Sequence, residues 1–146
     1  MQTEELLKLL NEKGVRYIVV GAFAAAAHGH LRSTNNLNLW VNPVEENMAR
    51  AKEALSLFGY DLTDTSPQKM MRENTKLTNY WMDAVIHPEI GGIRFETVWK
   101  NKMVQAVNRV PVPFAALDDL IRMKRNKKRK IDKEDLKALL ALRKKK

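Results

Sequence analysis

The spacing of apolar residues along the chain predicts a series of helices and strands. Four segments have apolar residues three and four positions apart, as in helices with one buried face; they are residues 3–13, 44–59, 116–125 and 132–144. Short segments that are mostly apolar, or that alternate between apolar and polar residues, predict strands; they are residues 15–21, 36–41 and 79–86. Alanine-rich residues 22–29 predict a short helix between the first two strands.

The middle of the chain carries mixed signals. Pro67 interrupts residues 60–78, residues 93–99 fit either a strand or a strand leading into a helix, and residues 103–113 fit a strand pair or a kinked strand. The sequence contains no internal repeat and no Gly/Ser-rich linker. We therefore expect a single α+β or α/β domain over residues 1–146, with a helical C-terminus.

Composition narrows the class of protein further. Apolar residues make up 45% of the 146 residues, which argues against disorder. No apolar run approaches the roughly 20 residues that span a bilayer, and the N-terminus lacks a signal-peptide pattern, so no membrane association is expected. Because cysteine is absent, disulfides and thiolate metal sites are excluded, and a cytoplasmic location is favoured.

The net charge of +9 is concentrated near the C-terminus. Residues 122–130 hold seven basic residues and residues 143–146 hold four, whereas the rest of the chain has 15 basic and 17 acidic residues. Such segments attract nucleic acid, nucleotide phosphates or an acidic partner, or they form a solubilising surface. Few aromatic residues lie within the basic run, so it offers no stacking platform for single strands.

The segment "RSTNNLNLWV", residues 32–41, has asparagines at positions suited to carboxylates. Residues two apart on a strand point to the same face. We therefore expect the neighbouring leucines to face a core, and Asn36 and Asn38 to face a cleft. Trp40 falls on the asparagine face by the same alternation; packing is its expected role, with base stacking as the alternative to test.

Residues 19–41, "VVGAFAAAAHGHLRSTNNLNLWV", together with the helix that follows, resemble nucleotidyltransferase-fold proteins of the DNA polymerase β superfamily. Small bacterial members of this superfamily read approximately "VVGG-A--LHG--R-T-DLDLWV". The later "YWMDAVI" is similar to the strand that carries their third carboxylate, with Asp83 as the acid. The segments "GGIRFETVWKN" and "LDDLIRMKRNKKRKIDKEDLKAL" look like the downstream parts, so the resemblance covers most of the chain.

The resemblance implies an α+β fold with a mixed β-sheet flanked by helices. It also implies Mg²⁺-dependent transfer of a nucleoside monophosphate from a nucleoside triphosphate to a hydroxyl acceptor. The implied catalytic positions are Asn36, Asn38 and Asp83, and only Asp83 keeps the charge of a metal-binding carboxylate. Because amide oxygens bring dipoles rather than charges, we expect weak or absent Mg²⁺ binding and impaired transfer. The expected loss is several kcal/mol, and every ~1.4 kcal/mol is a factor of ten.

The resemblance also implies a nucleotide-binding set, which is Gly21, Ala22, Arg32, Ser33, Thr34 and Lys124. Gly21 would let the backbone approach phosphates closely, and Ala22 replaces the usual second glycine, which is tolerable if its φ is negative. Ser33 and Thr34 either donate hydroxyls to phosphate or form a plain turn. Lys124 either contacts a nucleotide or belongs to a charged surface.

Two alternatives stay open. In the first, the chain is a non-enzymatic module whose basic C-terminus binds nucleic acid or a protein partner; small proteins of this group resemble the nucleotidyltransferase half of toxin–antitoxin pairs, and the protein partner is an analogy with them. In the second, the chain is an unrelated α/β domain with an accidental likeness. Zinc binding by His28 and His30 is not expected, because the one further histidine, His87, lies on another predicted element.

Overall fold

The computed structural model describes residues 2–32, 34, 36–125, 127 and 129–145. Within these residues the chain forms seven helices and six strands. The helices are α1 (Gln2–Glu12), α2 (Gly21–Ala27), α3 (Glu45–Phe58), α4 (Pro67–Met70), α5 (Phe95–Asn101), α6 (Leu117–Arg125) and α7 (Lys130–Lys144). The strands are β1 (Tyr17–Val20), β2 (Asn36–Val41), β3 (Thr75–Leu77), β4 (Asp83–His87), β5 (Met103–Val107) and β6 (Val110–Phe114).

The six strands form one mixed sheet in the order β3-β4-β2-β1-β6-β5. At its centre, β2 is antiparallel to β1 and parallel to β4. The hairpin β5–β6 confirms the strand-pair alternative for residues 103–113. Its two turn residues, Asn108 and Arg109, both have positive φ, at 47° and 72°, which suits the tight turns that join twisted antiparallel strands. The architecture is the α+β fold with a helical C-terminus that the sequence predicts.

The apolar stripes predicted from the sequence form the core. In α3, Met48, Ala51, Leu55 and Phe58 are all buried, and the helix ends at Gly59, whose left-handed φ of 112° favours glycine. In β2 the alternation predicted for the two leucines is confirmed, because both are almost completely buried. Burial of one face of β2 fixes which side chains the other face presents.

The strand predicted over residues 79–86 begins later, at Asp83, because the residues before it form a turn. The Asn79 Oδ1 accepts hydrogen bonds from the backbone N–H groups of Trp81 and Met82, each at 2.9 Å. Asparagine favours such turns because its side chain can hydrogen-bond to the backbone two residues on. The strand then continues through His87, one residue beyond its predicted end.

Other boundaries also differ from the sequence-based expectation, several of them by one or two residues. Pro67 begins helix α4, where the Ser66 hydroxyl accepts the Lys69 N–H at 3.1 Å, because proline is tolerated at the first position of a helix. The ambiguous residues 93–99 contribute to helix α5. Helix α7 begins at Lys130, two residues before its predicted start.

Buried apolar side chains from α1 through α7 form one connected core. The prediction of a single domain over residues 1–146 stays a prediction. Among the described residues, no helix combines the length and the apolar character needed to cross a membrane.

Replacing Leu39 with alanine should reduce the free energy of unfolding by about 2–5 kcal/mol, because its side chain is fully buried and the smaller residue leaves a cavity. Leu57→Ala is the matched control: Leu57 is 60% exposed, and its truncation should change stability by less than ~0.5 kcal/mol. Urea denaturation followed by circular dichroism measures both. Equal losses in the two variants would contradict the assigned face of β2.

Candidate functional site

A cleft of about 460 Å³ lies over the polar face of β2. Gly21, Asn36, Asn38 and His87 line its sheet side, and Lys124 of α6 is among the residues that line the other side. This volume falls within the range of small-molecule sites in proteins, about 300–1,000 Å³. The cleft is therefore large enough for a ligand of nucleotide size.

Strand pairing brings four of the predicted site positions together. Val20 lies opposite Asn38 in the β1–β2 register, so the next residue, Gly21, begins helix α2 beside that asparagine. On the other side of β2, Asn36 lies opposite Asp83 of β4. As predicted, the two asparagines lie on the face of β2 opposite the buried leucines, and both line the cleft.

Gly21 is required by both conformation and space. Its φ is +70°, a left-handed value that side chains rarely adopt. A Cβ atom there would lie 3.0 Å from the Asn38 Nδ2 and 3.3 Å from its Cβ. Ala22 is different: among the described non-glycine residues only Asn108 and Arg109 have positive φ, so the Ala22 methyl causes no backbone strain where it lines the cleft.

The side chain of Asn38 is held by His87. The His87 Nε2 lies 2.8 Å from the Asn38 Oδ1, so the imidazole N–H donates and the amide oxygen accepts. Burial, with a smaller contribution from the positive charge of Lys127, lowers the pKa of His87 to about 4. The imidazole is therefore neutral at physiological pH, and its hydrogen bond takes up one lone pair of the amide oxygen that a cation would need.

His87 is one of the site residues that the sequence did not predict. His87 lies four residues after Asp83, so both side chains lie on one face of β4. The predicted strand ends at residue 86, so the sequence does not assign His87 to that face. The register of β4 beside β2 then brings the imidazole to Asn38. This pairing between strands cannot be read from local spacing.

Asp83 shares the sheet face of the two asparagines but is not among the residues that line the cleft. Its Oδ1 accepts a hydrogen bond from the Thr78 hydroxyl at 2.6 Å. The structure therefore places Asp83 next to Asn36 along the sheet, at the margin of the cleft, with one carboxylate oxygen already hydrogen-bonded.

Two further predicted residues precede β2. Thr34 lines the cleft, and its Oγ1 accepts the backbone N–H of Asn36 at 3.2 Å. This contact is the plain-turn role that the sequence left open, and the hydroxyl proton can still be donated to a ligand. Ser33 lies outside the described residues.

Arg32 and Lys124 both line the cleft, but each is paired with a buried aspartate. The guanidinium of Arg32 binds Asp135 through two hydrogen bonds, from Nε at 3.1 Å and from Nη2 at 3.2 Å. The Lys124 Nζ lies 2.7 Å from the Asp132 Oδ1 and 3.1 Å from the Asp135 Oδ2. These contacts join α6, α7 and the segment before β2 and neutralise much of the charge of both cations.

The two aspartates remain ionised because their cationic partners outweigh burial. A hydrogen bond from Arg129, with others from Lys124, holds the pKa of Asp132 far below its ordinary value. For Asp135 burial is the largest single influence and raises the pKa, but hydrogen bonds from His30, Lys124 and Arg32 together lower it below the ordinary value. Both carboxylates are therefore charged at neutral pH.

Trp40 lies on the asparagine face as expected, but it is 1% exposed, so the stacking alternative is wrong. Its Nε1–H donates to the Pro88 carbonyl at 3.3 Å, and its ring meets Phe95 of α5 edge to face at 5.5 Å. The covering helix α5, which the sequence left ambiguous, explains why this side chain is buried.

The donor atoms at the three implied metal positions, Asn36, Asn38 and Asp83, do not fit Mg²⁺. Magnesium is bound in proteins mainly through carboxylates, whereas two of the three implied positions are amides and one amide oxygen is held by His87. In the part of the chain that the structure describes, no group of three or more histidine, cysteine or acidic side chains could hold a metal ion. His28 and His30 instead contact the Ala115 carbonyl and Asp135.

Asn38→Asp should raise the pKa of His87 above about 4, by roughly 1–3 pH units, because a carboxylate at hydrogen-bonding distance stabilises the imidazolium. NMR titration of the imidazole protons measures the change. An unchanged His87 pKa would contradict the contact between the two side chains.

Asp132→Asn should destabilise the protein by roughly 3–5 kcal/mol at pH 7, because it removes the buried member of an ion pair and leaves Lys124, which is 18% exposed, without part of its partner charge. Since the folded-state pKa of Asp132 is lowered, its stabilisation is fully present above the ordinary carboxyl pKa, about 4, and is lost as pH falls below it. The variant should therefore lose less stability than the native chain as the pH falls from about 4 to about 2.

Asp118→Asn is the control, since Asp118 is 75% exposed, and it should change stability little at any of these pH values. Urea denaturation at several pH values measures both variants.

No protein-family model matches the chain, and no curated protein matches its sequence. Solved structures do resemble it. One is the crystal structure of the lincosamide antibiotic adenylyltransferase LnuA with lincomycin bound, which has a TM-score of 0.68 and 14% identity, covering 97% of this chain and 96% of that chain. Another is the solution structure of the antibiotic-resistance factor ANT(2'')-Ia, with a TM-score of 0.66 and 11% identity, covering 96% of this chain and 81% of that one. The chain therefore has a nucleotidyltransferase fold.

Proposed function

We propose that this nucleotidyltransferase-fold chain binds a nucleoside triphosphate in the cleft, and that its capacity for nucleotidyl transfer is impaired. The parent reaction moves a nucleoside monophosphate to a hydroxyl acceptor and releases pyrophosphate. The observation that carries the proposal is the pair of amides, Asn36 and Asn38, at the cleft-facing positions of β2 beside the Gly21 turn.

Several features support a nucleotide as the ligand. The cleft has the volume for one, and Gly21 brings backbone close to the ligand space. Basic side chains line the same cleft and favour phosphate. Lys127 is exposed there, whereas aspartates neutralise much of the charge of Arg32 and Lys124. LnuA, which has a similar fold, is an adenylyltransferase with lincomycin bound, so a small hydroxyl-bearing molecule is a reasonable acceptor class for the parent reaction.

The impairment follows from the charges in the cleft. When bound, magnesium neutralises the phosphates and acidifies the attacking hydroxyl. In this chain only Asp83 could offer a full negative charge at the three implied positions, and it lies at the margin of the cleft. Holding a divalent cation in a partly desolvated cleft with so little compensating charge costs several kcal/mol. Asp83 remains the residue we assign to weak metal binding.

A second candidate function is supported by the exposed face of α7. Lys130, Lys133 and Lys137 are exposed and recur at intervals of three and four residues, so they lie on one side of the helix. Such a stripe favours nucleic acid or an acidic protein partner. The basic run of residues 122–130 contributes less than its composition indicates, because Arg122, Lys124 and Arg129 are paired with aspartates.

The variant Asn36→Asp/Asn38→Asp tests the proposal directly. Restoring two carboxylates should tighten Mg²⁺ binding by at least about tenfold and produce ATP-dependent transfer, because each ~1.4 kcal/mol of recovered attraction is a factor of ten. Calorimetry measures Mg²⁺ binding without an acceptor. Pyrophosphate release with a panel of acceptors, including lincomycin and RNA, measures transfer.

The control variant Asn101→Asp/Gln105→Glu adds the same two charges at exposed positions on α5 and β5, away from the cleft. It should bind Mg²⁺ as weakly as the native chain. If the cleft variant, shown to be folded, neither binds Mg²⁺ more tightly than this control nor gains transfer, the proposal is wrong. Salt-sensitive RNA binding by the native chain without any ATP binding would favour the α7 surface instead.

A further inference from the structure

The charges that line the cleft do not match those of a metal-dependent site. Among the described residues, four basic side chains line it, which are Arg32, Lys124, Lys127 and Arg129. Three acidic side chains of the same described part line it, which are Glu89, Asp132 and Asp135. Leaving His87 aside, the described lining residues therefore carry one net positive charge. Carboxylates at positions 36 and 38 would change this to one net negative charge. The identity of these two residues therefore determines the sign of the net charge that lines the cleft.

Not all of these cations are equally available to a ligand. Arg32 and Lys124 are paired with the two aspartates, as described above. Lys127 is exposed, and within the described residues its ammonium forms no ion pair. It nevertheless lies close enough to His87 to influence that imidazole. Of the four basic side chains in the cleft, Lys127 is therefore the one whose charge is least neutralised by acidic neighbours.

Arg129 adds further donors at the same rim. Its side chain is 74% exposed, and it uses Nε and Nη2 to bind Asp132. The Nη1 group remains outside these two hydrogen bonds, and a guanidinium can bridge a carboxylate and a phosphate. Lys127 and Arg129 both belong to the connection between α6 and α7.

The amides contribute what carboxylates cannot. An amide NH₂ donates hydrogen bonds, whereas an ionised carboxylate only accepts them. The Asn38 Oδ1 is held by His87, so its Nδ2 is the atom left to donate, and this atom lies beside Gly21. Asn36 is exposed at the cleft with no side-chain hydrogen bond to the described residues. Both amides can therefore face an anion without repelling it.

From this arrangement we propose that the cleft binds the phosphate groups of a nucleotide directly, without a divalent metal ion. Lys127 and Arg129 supply the countercharge, and Asn36 and Asn38 supply neutral donors where carboxylates would repel. The proposal rests on the proposed nucleotide site and adds that its phosphate recognition is metal-independent. Amides instead of carboxylates at positions 36 and 38 would then strengthen phosphate binding while they weaken nucleotidyl transfer.

Calorimetric titration of the native chain with ATP, once in EDTA and once in excess Mg²⁺, tests the proposal. We expect ATP to bind in EDTA with a Kd at most about threefold higher than its Kd in excess Mg²⁺. The variant Asn36→Asp/Asn38→Asp should bind ATP at least about tenfold more weakly in EDTA, because two negative charges now face the phosphates, and Mg²⁺ should recover the loss.

Lys127→Ala provides a second test that does not alter the sheet. It should weaken metal-free ATP binding by about fivefold or more, because a countercharge near the phosphates is lost. Lys133→Ala is the control, since Lys133 is also exposed, on helix α7, but is not among the residues that line the cleft. Inorganic triphosphate should bind within about tenfold of ATP, and adenosine should bind far more weakly.

The outcomes separate the two proposals. ATP binding that requires Mg²⁺, or adenosine binding as well as ATP, would overturn metal-free phosphate recognition and leave the nucleotide site standing. Equal effects of Lys127→Ala and Lys133→Ala would also overturn it. ATP binding in neither buffer would overturn the nucleotide site itself.

Discussion

The register of β2 between its two neighbours is the constraint on which the cleft depends. Pairing with β1 places Gly21 against Asn38, and pairing with β4 places Asp83 beside Asn36 and allows His87 to reach Asn38. Because side chains alternate along a strand, a slip of one residue would turn both asparagines into the core. The buried leucines of β2 prevent that slip, so core packing and site geometry are set by the same interaction.

The opposite wall of the cleft is held by ion pairs rather than by a sheet. Asp132 and Asp135 are buried, and both are bound by Lys124, while Arg32 and His30 bind Asp135 from the other side. Removing one member leaves a buried charge uncompensated, which is much more costly than breaking a surface pair. Arg32 and Lys124, which the resemblance assigns to nucleotide binding, therefore serve mainly to join α7 to the rest of the fold.

Local pattern was enough to predict much of this structure. The bounds of β2 and its two faces follow from alternation, and Gly59 ends α3 as its position after the apolar stripe indicates. The sequence predicts the start of β4 too early, because residues 79–82 have the apolar pattern of a strand but form a turn around Asn79. The burial of Trp40 depends on Phe95, which is distant in sequence. The His87–Asn38 contact and the pairing of Lys124 likewise join residues that only tertiary structure brings together.

The central claim is that two neutral amides make this a cleft for phosphate rather than for a divalent cation. Diffraction from crystals grown with ATP and Mn²⁺ tests it most directly, because the anomalous signal of manganese locates the metal independently of the nucleotide. The account predicts phosphate density within reach of Lys127 and Asn36, and no manganese peak coordinated by Asn36, Asn38 and Asp83. An ordered manganese ion at that position would contradict it.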